Sequence, residues 1–326
     1  MNPLPNLRHL RYLVALHDHG NFSRAAESCF VTQSTLSAGI RELEESLGVD
    51  VAERTKRSVV ITPAGRRLVA RARLLLRDAE ALAAMSKDDA GPMSGVLEMG
   101  VLPTIGPFLL PQLVRRLGAL FPRLRLALRE DKTRHLLDQL AEGRLDLVLM
   151  AFPYDTPGME TFMLFDDAYR YVAAAAPAKS PGATCTTAVQ SDFDSQNLLL
   201  LEHDHCLHSH ALPALQRAAE VEHANFSSTS LHTLVAMVAE GMGATLLPDL
   251  AIMGGILQNT DLVVRPLADE ANARTIGLCW RRNSARADTF LQLGQSIQAW
   301  AAEHITPWRP DTAGVVAGRP RRHRVR

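Results

Sequence analysis

Residues 21–55 read NFSRAAESCFVTQSTLSAGIRELEESLGVDVAERT, and their apolar pattern predicts two helices joined by a tight turn. The first helix is expected to run from Phe22 to about Cys29, and Thr32 is placed to cap the second. The inward positions of the second helix recur at helical spacing: Leu36, Ile40, Leu43 and Leu47. Helix, tight turn and helix is an arrangement with which proteins read the major groove of DNA.

The flanking segments complete a small N-terminal domain. Apolar spacing predicts a helix that starts near Leu7 and ends at His19-Gly20-Asn21. Residues 49–65, VDVAERTKRSVVITPAG, have a short β pattern around an exposed tip at Arg54-Thr55-Lys56-Arg57, which is typical of a β-wing. We therefore expect a winged helix-turn-helix DNA-binding domain over residues 1–66.

The turn and the start of the second helix offer short polar side chains to DNA. The candidate contacts with base edges or phosphates are Thr32, Gln33, Ser34, Thr35, Ser37 and Arg41. Gln33 is placed to pair with an adenine through two hydrogen bonds. On the wing, Arg54, Lys56 and Arg57 would hold phosphates or the minor groove. The alternative is that the serines and threonines only cap helices and that Arg41 pairs with Glu45 within its helix.

From about Pro63 to Met85 the chain is expected to be helical, and leucines recur there every seven residues. These leucines are Leu68, Leu75 and Leu82, with Ala72 and Ala79 four positions after the first two. A seam of this kind favours a contact between the two helices of a dimer. Residues 67–90 are therefore interpreted as a linker and dimerisation helix. The alternative is a surface helix that packs on its own domain.

Beyond Gly95, strands and helices alternate through most of the chain. This pattern is typical of a mainly parallel sheet covered by helices, and about 210 residues allow two α/β lobes with a ligand crevice at the strand ends. We expect a two-lobed, periplasmic-binding-protein-like regulatory domain over residues 95–309. Residues 310–326 carry five arginines and are expected to form a disordered basic tail.

Composition and charge limit the classes of function. Thirty-five Lys and Arg residues balance thirty-five Asp and Glu residues, so any nucleic-acid binding must come from local geometry. No apolar run reaches the ~18 residues that span a bilayer, and the N-terminus lacks the plan of a signal peptide. We expect a cytoplasmic protein with no membrane partner and with its cysteines as thiols. Nucleophile-elbow, zinc-protease, Walker and dinucleotide motifs are missing, so neither an enzyme nor a cofactor is expected.

The frame FxRAAxxCxVxQxTLSxxIxxLExxLG, followed by ERT, spans the two predicted helices and the start of the wing. It resembles the N-terminal domain of LysR-type transcriptional regulators. The resemblance implies a homodimer or homotetramer that binds double-stranded promoter DNA. An activator of this kind would also contact RNA polymerase.

The regulatory domain is similar to the peroxide-sensing branch of the same family. The similarity is carried by GVLPTIGPFLLPQL, FPRLRLALREDKTRHLLDQL, LLLLEHDHCLHSHAL, TSLHTLVAMVAEGMGATLLP and RTIGL. It implies that Cys206, preceded by His205, is oxidised by hydrogen peroxide, with the hydroxyls of Thr104 and Thr133 close to it. The second, resolving cysteine of that branch would fall nine residues on, where this chain has Leu215.

The missing resolving cysteine leaves several outcomes for an oxidised Cys206. Peroxide first converts a thiolate into a sulfenic acid. Cys185 is the candidate resolving thiol because it lies in the same predicted lobe. Otherwise the sulfenic acid, or a mixed disulfide with a small thiol, would carry the signal, or peroxide sensing would be lost. Cys29 and Cys279 are expected to be packing thiols, and the alternative role for Thr104 and Thr133 is to cap helices.

Two further interpretations concern the same domain. Residues 202–216, EHDHCLHSHALPALQ, surround Cys206 with histidines that are possible ligands of zinc, nickel or copper: His203, His205, His208 and His210. No regular conformation gathers three of these side chains, so no metal site is predicted. The alternative function is a regulator whose inter-lobe crevice binds a small-molecule effector, without redox sensing.

Overall fold

A computed structural model describes most of the chain as an N-terminal helical domain, a long helix and a C-terminal α/β domain. The described residues are 4–54, 59–85, 93–175, 187–188, 197–201, 227–228, 230–267 and 273–305. Among them, no helix combines the length and the apolar composition needed to cross a membrane.

Three helices and a two-stranded wing form the N-terminal domain. They are α1 (Leu7–His19), α2 (Phe22–Ser28), α3 (Gln33–Leu47), β1 (Ala52–Arg54) and β2 (Val59–Ile61). The two wing strands are antiparallel. The apolar side chains at helical spacing meet in one core, whose fully buried members include Leu13, Leu16, Leu36, Ile40 and Leu43. The predicted helices and wing strands are confirmed.

Side-chain caps determine where α2 and α3 begin. The Asn21 side chain accepts hydrogen bonds from the backbone N–H groups of Ser23 at 2.8 Å and Arg24 at 3.2 Å. The hydroxyl of Thr32 accepts one from the backbone N–H of Thr35 at 3.2 Å. These bonds satisfy N–H groups that have no partner within the helix. The predicted cap at Thr32 is confirmed.

The long helix α4 (Pro63–Met85) follows the wing and packs against α1. Ala72 is buried in the core of the N-terminal domain, and Leu68 packs against that core. Leu75 and Leu82, in contrast, are 50% and 69% exposed. The predicted leucine seam is therefore divided, because its first part covers the chain's own domain and its second part is left exposed.

The C-terminal domain has two lobes that share one long strand, β6. In chain order its elements are β3 (Gly95–Val101), α5 (Gly106–Leu120), β4 (Leu124–Glu130), α6 (Thr133–Ala141), β5 (Leu147–Phe152), β6 (Met159–Ala174), β7 (Leu200–Leu201), β8 (Ser227–Ser228), α7 (Leu231–Ala239), β9 (Ala244–Pro248), α8 (Asp249–Met253), β10 (Leu262–Pro266), β11 (Ala273–Arg281) and α9 (Ala287–His304). The first part of β6 pairs with β11, and its last part pairs with β9 and β10. The strand therefore runs through both lobes, and the predicted two-lobed α/β class is confirmed.

The direction of the strands differs from the mainly parallel sheet that we expected. The strand order is β10, β6, β11, β5, β3, β4, with β9 also paired to β6. β3 is parallel to β4 and β5, whereas β11 is antiparallel to β5 and β6. β9 and β10 are also antiparallel to β6. The sheet is therefore mixed, and β6 and β11 run in opposite directions between the lobes.

One aspartate joins α4 to the first lobe. Asp146 precedes β5, and its carboxylate accepts hydrogen bonds from the Arg77 side chain of α4 and from the backbone N–H of Glu98 at 3.0 Å. The guanidinium nitrogens of Arg281 and Arg286 lie 4.0 Å and 3.7 Å from the same carboxylate. Burial, together with the charge of Arg281, lowers the pKa of Arg77 to about 10. Three guanidinium groups therefore share one nearby carboxylate.

We predict that Asp146→Asn destabilises the protein by about 3 kcal/mol, because three partly buried guanidinium groups lose their shared countercharge. Thermal unfolding followed by circular dichroism measures the change. Glu142→Gln is the matched control, since it removes a carboxylate that pairs with Arg144 at the surface. Its expected cost is below ~0.5 kcal/mol. Equal effects of the two substitutions would contradict the role of Asp146.

Candidate DNA-binding helix and sensor site

Hydrogen bonds organise the polar residues at the start of α3. The hydroxyl oxygen of Thr32 lies 2.9 Å from that of Ser34 and 2.8 Å from that of Thr35. The hydroxyl of Ser23 in α2 donates to the side-chain oxygen of Gln33 at 3.0 Å. Thr32 to Thr35 are exposed and Ser37 is partly exposed. Hence α3 presents a preorganised polar surface at the end where unpaired backbone N–H groups attract phosphates.

Arg41 lies further along the exposed side of α3. Within the described part of the chain it makes no ion pair, so the alternative pairing with Glu45 is not supported. Glu44 has a structural role instead, because its carboxylate accepts hydrogen bonds from the backbone N–H groups of Val51 at 3.0 Å and Ala52 at 3.4 Å. These bonds hold β1 of the wing against α3.

Most of the wing tip lies outside the described residues. Arg54 is the last residue of β1, and Lys56 and Arg57 fall in the segment 55–58. Contacts of these three side chains with phosphates stay predictions.

In the C-terminal domain, a buried arginine holds Thr104 in place. Arg274, on β11, is 0% exposed and donates to the Thr104 hydroxyl at 2.8 Å and to the Thr104 carbonyl oxygen at 3.0 Å. Its charge is balanced by Asp167 on β6, whose carboxylate accepts from the Arg274 side chain at 3.0 Å. Burial raises the pKa of Asp167, and the charge of Arg274 opposes that rise.

The same carboxylate connects this arginine to the second lobe. Asp167 accepts a hydrogen bond from the backbone N–H of Leu250 in α8 at 2.8 Å. Beside it, Arg170 and Asp249 form a two-bond ion pair with N···O distances of 2.8 Å and 2.7 Å. Two buried or nearly buried carboxylates therefore link β6 to β11 and to the start of α8.

Thr133 lies at the same edge of the sheet as Thr104. The two threonines follow β4 and β3, which are adjacent parallel strands, so both stand beyond the carboxyl ends of those strands. Thr133 is 2% exposed, and its hydroxyl has no hydrogen-bond partner among the described residues. Leaving a hydroxyl unpaired in the interior costs about 1–3 kcal/mol. The arrangement suits a hydroxyl that is satisfied by a ligand or by a residue outside the described part.

The alternative that these threonines cap helices is wrong. The residue that caps α5 is Ile105 and the one that caps α6 is Lys132, in each case without a side-chain hydrogen bond to the helix. Thr104 precedes the cap position of α5, and Thr133 is already the first residue of α6.

Arg274 and Asp167 were missed by the sequence analysis. The available signal was charge in two apolar segments, namely Arg274 at the start of RTIGLCW and two aspartates and an arginine within MLFDDAYRYV. Charges that interrupt buried strands require a partner. Nothing local identifies that partner, because Arg274 and Asp167 are 107 positions apart.

The proposed redox residues themselves lie outside the described residues. These residues are Cys185, His205, Cys206 and Leu215, together with His203, His208 and His210. Cys185 falls in the segment 176–186, and the others fall in the segment 202–226, which follows Leu201, a buried residue of β7. In the described part of the chain, no group of three or more His, Cys, Asp or Glu side chains is arranged to hold a metal ion.

Two patterns of known protein families cover most of the chain. Residues 7–66 match bacterial regulatory helix-turn-helix proteins of the lysR family, and residues 90–302 match the LysR substrate binding domain. The chain therefore belongs to the LysR family of transcriptional regulators.

Similar proteins within that family carry the name OxyR. The chain is 40% identical over 300 residues to the DNA-binding transcriptional dual regulator OxyR of Escherichia coli, covering 92% of this chain and 97% of that protein. It superimposes with a TM-score of 0.75 and 32% identity on a cysteine-to-aspartate variant of full-length OxyR from Pseudomonas aeruginosa, covering 91% and 95% of the two chains. A cysteine-to-serine variant of Corynebacterium glutamicum OxyR with hydrogen peroxide bound gives a TM-score of 0.61 and 31% identity, with 93% and 94% covered.

We predict that Cys279 does not react with iodoacetamide in the folded protein at neutral pH. Its thiol is 0% exposed on β11, and burial raises its pKa to about 12, so almost no thiolate is present. Cys29 is only partly buried and serves as the internal comparison. Peptide mass spectrometry should find Cys279 alkylated only after denaturation. Alkylation of Cys279 as fast as that of Cys29 in the native protein would show that the structure around β11 opens and exposes the Cys279 thiol.

Proposed function

We propose that this LysR-family regulator binds promoter DNA through α3 and responds to hydrogen peroxide through oxidation of Cys206. The proposal rests on the buried hydroxyl of Thr133, which has no partner among the described residues and lies at the same sheet edge as Thr104. It is supported by the similarity to OxyR proteins, one of them in a peroxide-bound form. The chain would act in the cytoplasm, and as an activator it would contact RNA polymerase.

The proposed chemistry assigns a separate task to each group. The thiolate of Cys206 attacks one peroxide oxygen, the O–O bond breaks, and the second oxygen leaves as hydroxide that takes up a proton to become water. The hydroxyls of Thr104 and Thr133 donate hydrogen bonds to the peroxide, and His205 assists as a neighbouring donor. Because Arg274 donates to the Thr104 oxygen at 2.8 Å, the Thr104 proton points away from Arg274.

The resulting sulfenic acid has Cys185 as its proposed resolving thiol. Attack by Cys185 would form a disulfide and release water. If Cys185 does not reach it, the sulfenic acid or a mixed disulfide with a small thiol carries the signal, since residue 215 is leucine.

Two copies of the chain are proposed to associate through α4. Leu75 and Leu82 are exposed apolar side chains one heptad apart, as expected for a helix–helix contact, and Leu68 extends the same stripe toward the wing. Paired DNA-binding domains would read two half-sites, and four copies would form a tetramer.

The family match over residues 90–302 supports a second candidate function. Its description as a substrate binding domain favours a small-molecule effector in the inter-lobe crevice, without redox sensing. The two functions differ in whether Cys206 reacts with peroxide.

We predict that Gln33→Ala weakens binding to a selected operator by about 1–3 kcal/mol per half-site and relaxes the preference at one base pair. Arg41→Ala should also weaken binding, with a smaller salt dependence if Arg41 holds a phosphate. Fluorescence anisotropy at several salt concentrations measures both effects. Gln112→Ala, an exposed glutamine on α5, is the matched control. Undiminished binding by both α3 variants would contradict docking through this helix.

We predict that brief, near-stoichiometric peroxide converts Cys206, and not Cys29 or Cys279, to a sulfenic acid. A sulfenic-acid trap followed by peptide mass spectrometry maps each cysteine. Thr133→Val should slow this oxidation by about a hundredfold, the typical cost of losing one positioned donor, without lowering the thermal midpoint. Thr275→Val, which removes an exposed hydroxyl bonded to Asp166 on β6, is the control.

The outcomes of this experiment separate the two candidate functions. An unmodified Cys206 would rule out peroxide sensing and favour an effector in the crevice. Oxidation of Cys206 at the same rate in the wild type and in Thr133→Val would show that the Thr133 hydroxyl does not hold the peroxide. A disulfide between Cys206 and Cys185 would identify the resolving thiol.

A further inference from the structure

The turn between α2 and α3 contains a phenylalanine in an unusual backbone conformation. Phe30 has φ = 57°, in the left-handed region. Its backbone N–H donates to the carbonyl oxygen of Glu27 at 3.1 Å, and that of Val31 donates to the carbonyl oxygen of Ala26 at 3.0 Å. These two bonds form the Schellman motif that ends a helix, and Phe30 occupies the position in that motif where glycine is usual.

The other two helices of this domain end as that preference predicts. Gly20 ends α1 with φ = 58°, and Gly48 ends α3 with φ = 69°. A side chain at such a position is strained, and most strained when it is bulky. Phe30 therefore opposes the local preference that the neighbouring helix ends obey.

Burial does not offset this strain, because the ring of Phe30 is 96% exposed. A large apolar side chain is thus exposed to water at a backbone position that favours glycine. Residues held in unfavourable backbone conformations occur preferentially where they have a function. The ring is thus expected to contact something other than its own domain.

The position of Phe30 indicates what that partner is. It lies two residues before Thr32, the cap of α3, and three before Gln33, so it belongs to the end of α3 that carries the organised polar residues. In a helix-turn-helix domain, the residues at this end of the second helix contact base edges. Apolar groups are available there in DNA, namely the thymine methyl group in the major groove and the deoxyribose carbons of the backbone.

We propose that Phe30 is a DNA-contacting residue that packs against an apolar group of the operator, either a thymine methyl group or a deoxyribose. The inference rests on the proposed docking of α3 in the major groove. It adds an apolar contact to the polar residues of that helix and gives the strained turn a role in recognition.

The test uses the full-length protein and a duplex that the wild type selects from a random-sequence library. Phe30→Gly removes the ring and suits the left-handed conformation, so it should lower affinity by about tenfold while raising the thermal midpoint. Phe30→Leu keeps an apolar side chain and should retain most of the affinity. Because an apolar contact releases no counterions, the slope of affinity against salt should not change.

Val49→Ala is the matched control. Val49 is also an exposed apolar residue next to a left-handed glycine, but it follows the opposite end of α3, a helix of 15 residues and about 22 Å in length. Its substitution should leave affinity unchanged.

Replacing the thymines of the duplex by uracil, one at a time, distinguishes the two apolar groups. For a thymine contact, one replacement weakens the wild type and has no effect on Phe30→Gly. For a deoxyribose contact, no replacement does so, while Phe30→Gly still binds more weakly.

The proposal is overturned if Phe30→Gly binds as tightly as the wild type. It is also overturned if Phe30→Gly lowers the thermal midpoint together with affinity, since Phe30 would then stabilise the fold. Weak binding by Gln33→Ala alongside normal binding by Phe30→Gly would reject this inference and leave the docking of α3 intact. Failure of the wild type to select any DNA would reject the docking itself.

Discussion

The sensor domain depends on the pairing of the buried Arg274 guanidinium with Asp167 and Thr104. A fully buried charge is tolerated only when it is paired and hydrogen-bonded, and loss of its partner costs about 3–5 kcal/mol. Asp167 on β6 and Thr104 after β3 meet this requirement, and Asp167 also accepts from the backbone of Leu250 in the second lobe. One charge therefore fixes the shared strands of the two lobes and orients a threonine of the proposed peroxide site.

A change in the sensor domain can reach the DNA-binding domain through α4. This helix packs against α1 and is bonded to the first lobe where Arg77 meets Asp146. Repacking of the first lobe at this contact would shift α4. In the proposed function, signal transmission would be a shift between two populations in which the paired DNA-binding domains are spaced differently.

The local elements could be predicted because their causes are local. Thr32 caps α3 through a bond to a residue three positions away, and Leu36, Ile40 and Leu43 share one face through the helical period. The interpretation of Thr104 as a helix cap failed because α5 begins at Gly106, so that Ile105 and not Thr104 occupies the cap position. The leucine spacing on α4 predicted a helix, but it did not show which of its residues are buried. The fold decides that Ala72 is buried while Leu75 is exposed.

The sequence by itself determined the winged helix-turn-helix, the long helix and the α/β class, whereas the candidate residues Thr104, Thr133 and Cys206 came from its resemblance to a known family. Caps, periodicity and motif spacing act within a few residues, so they can be read along the chain. The tertiary structure alone decided that β11 runs antiparallel between β5 and β6, that Asp167 pairs with Arg274, and that the hydroxyl of Thr133 is buried without a partner among the described residues. The physical reason is distance along the chain: strand pairing and charge burial join residues about a hundred positions apart, and no local preference specifies which ones meet.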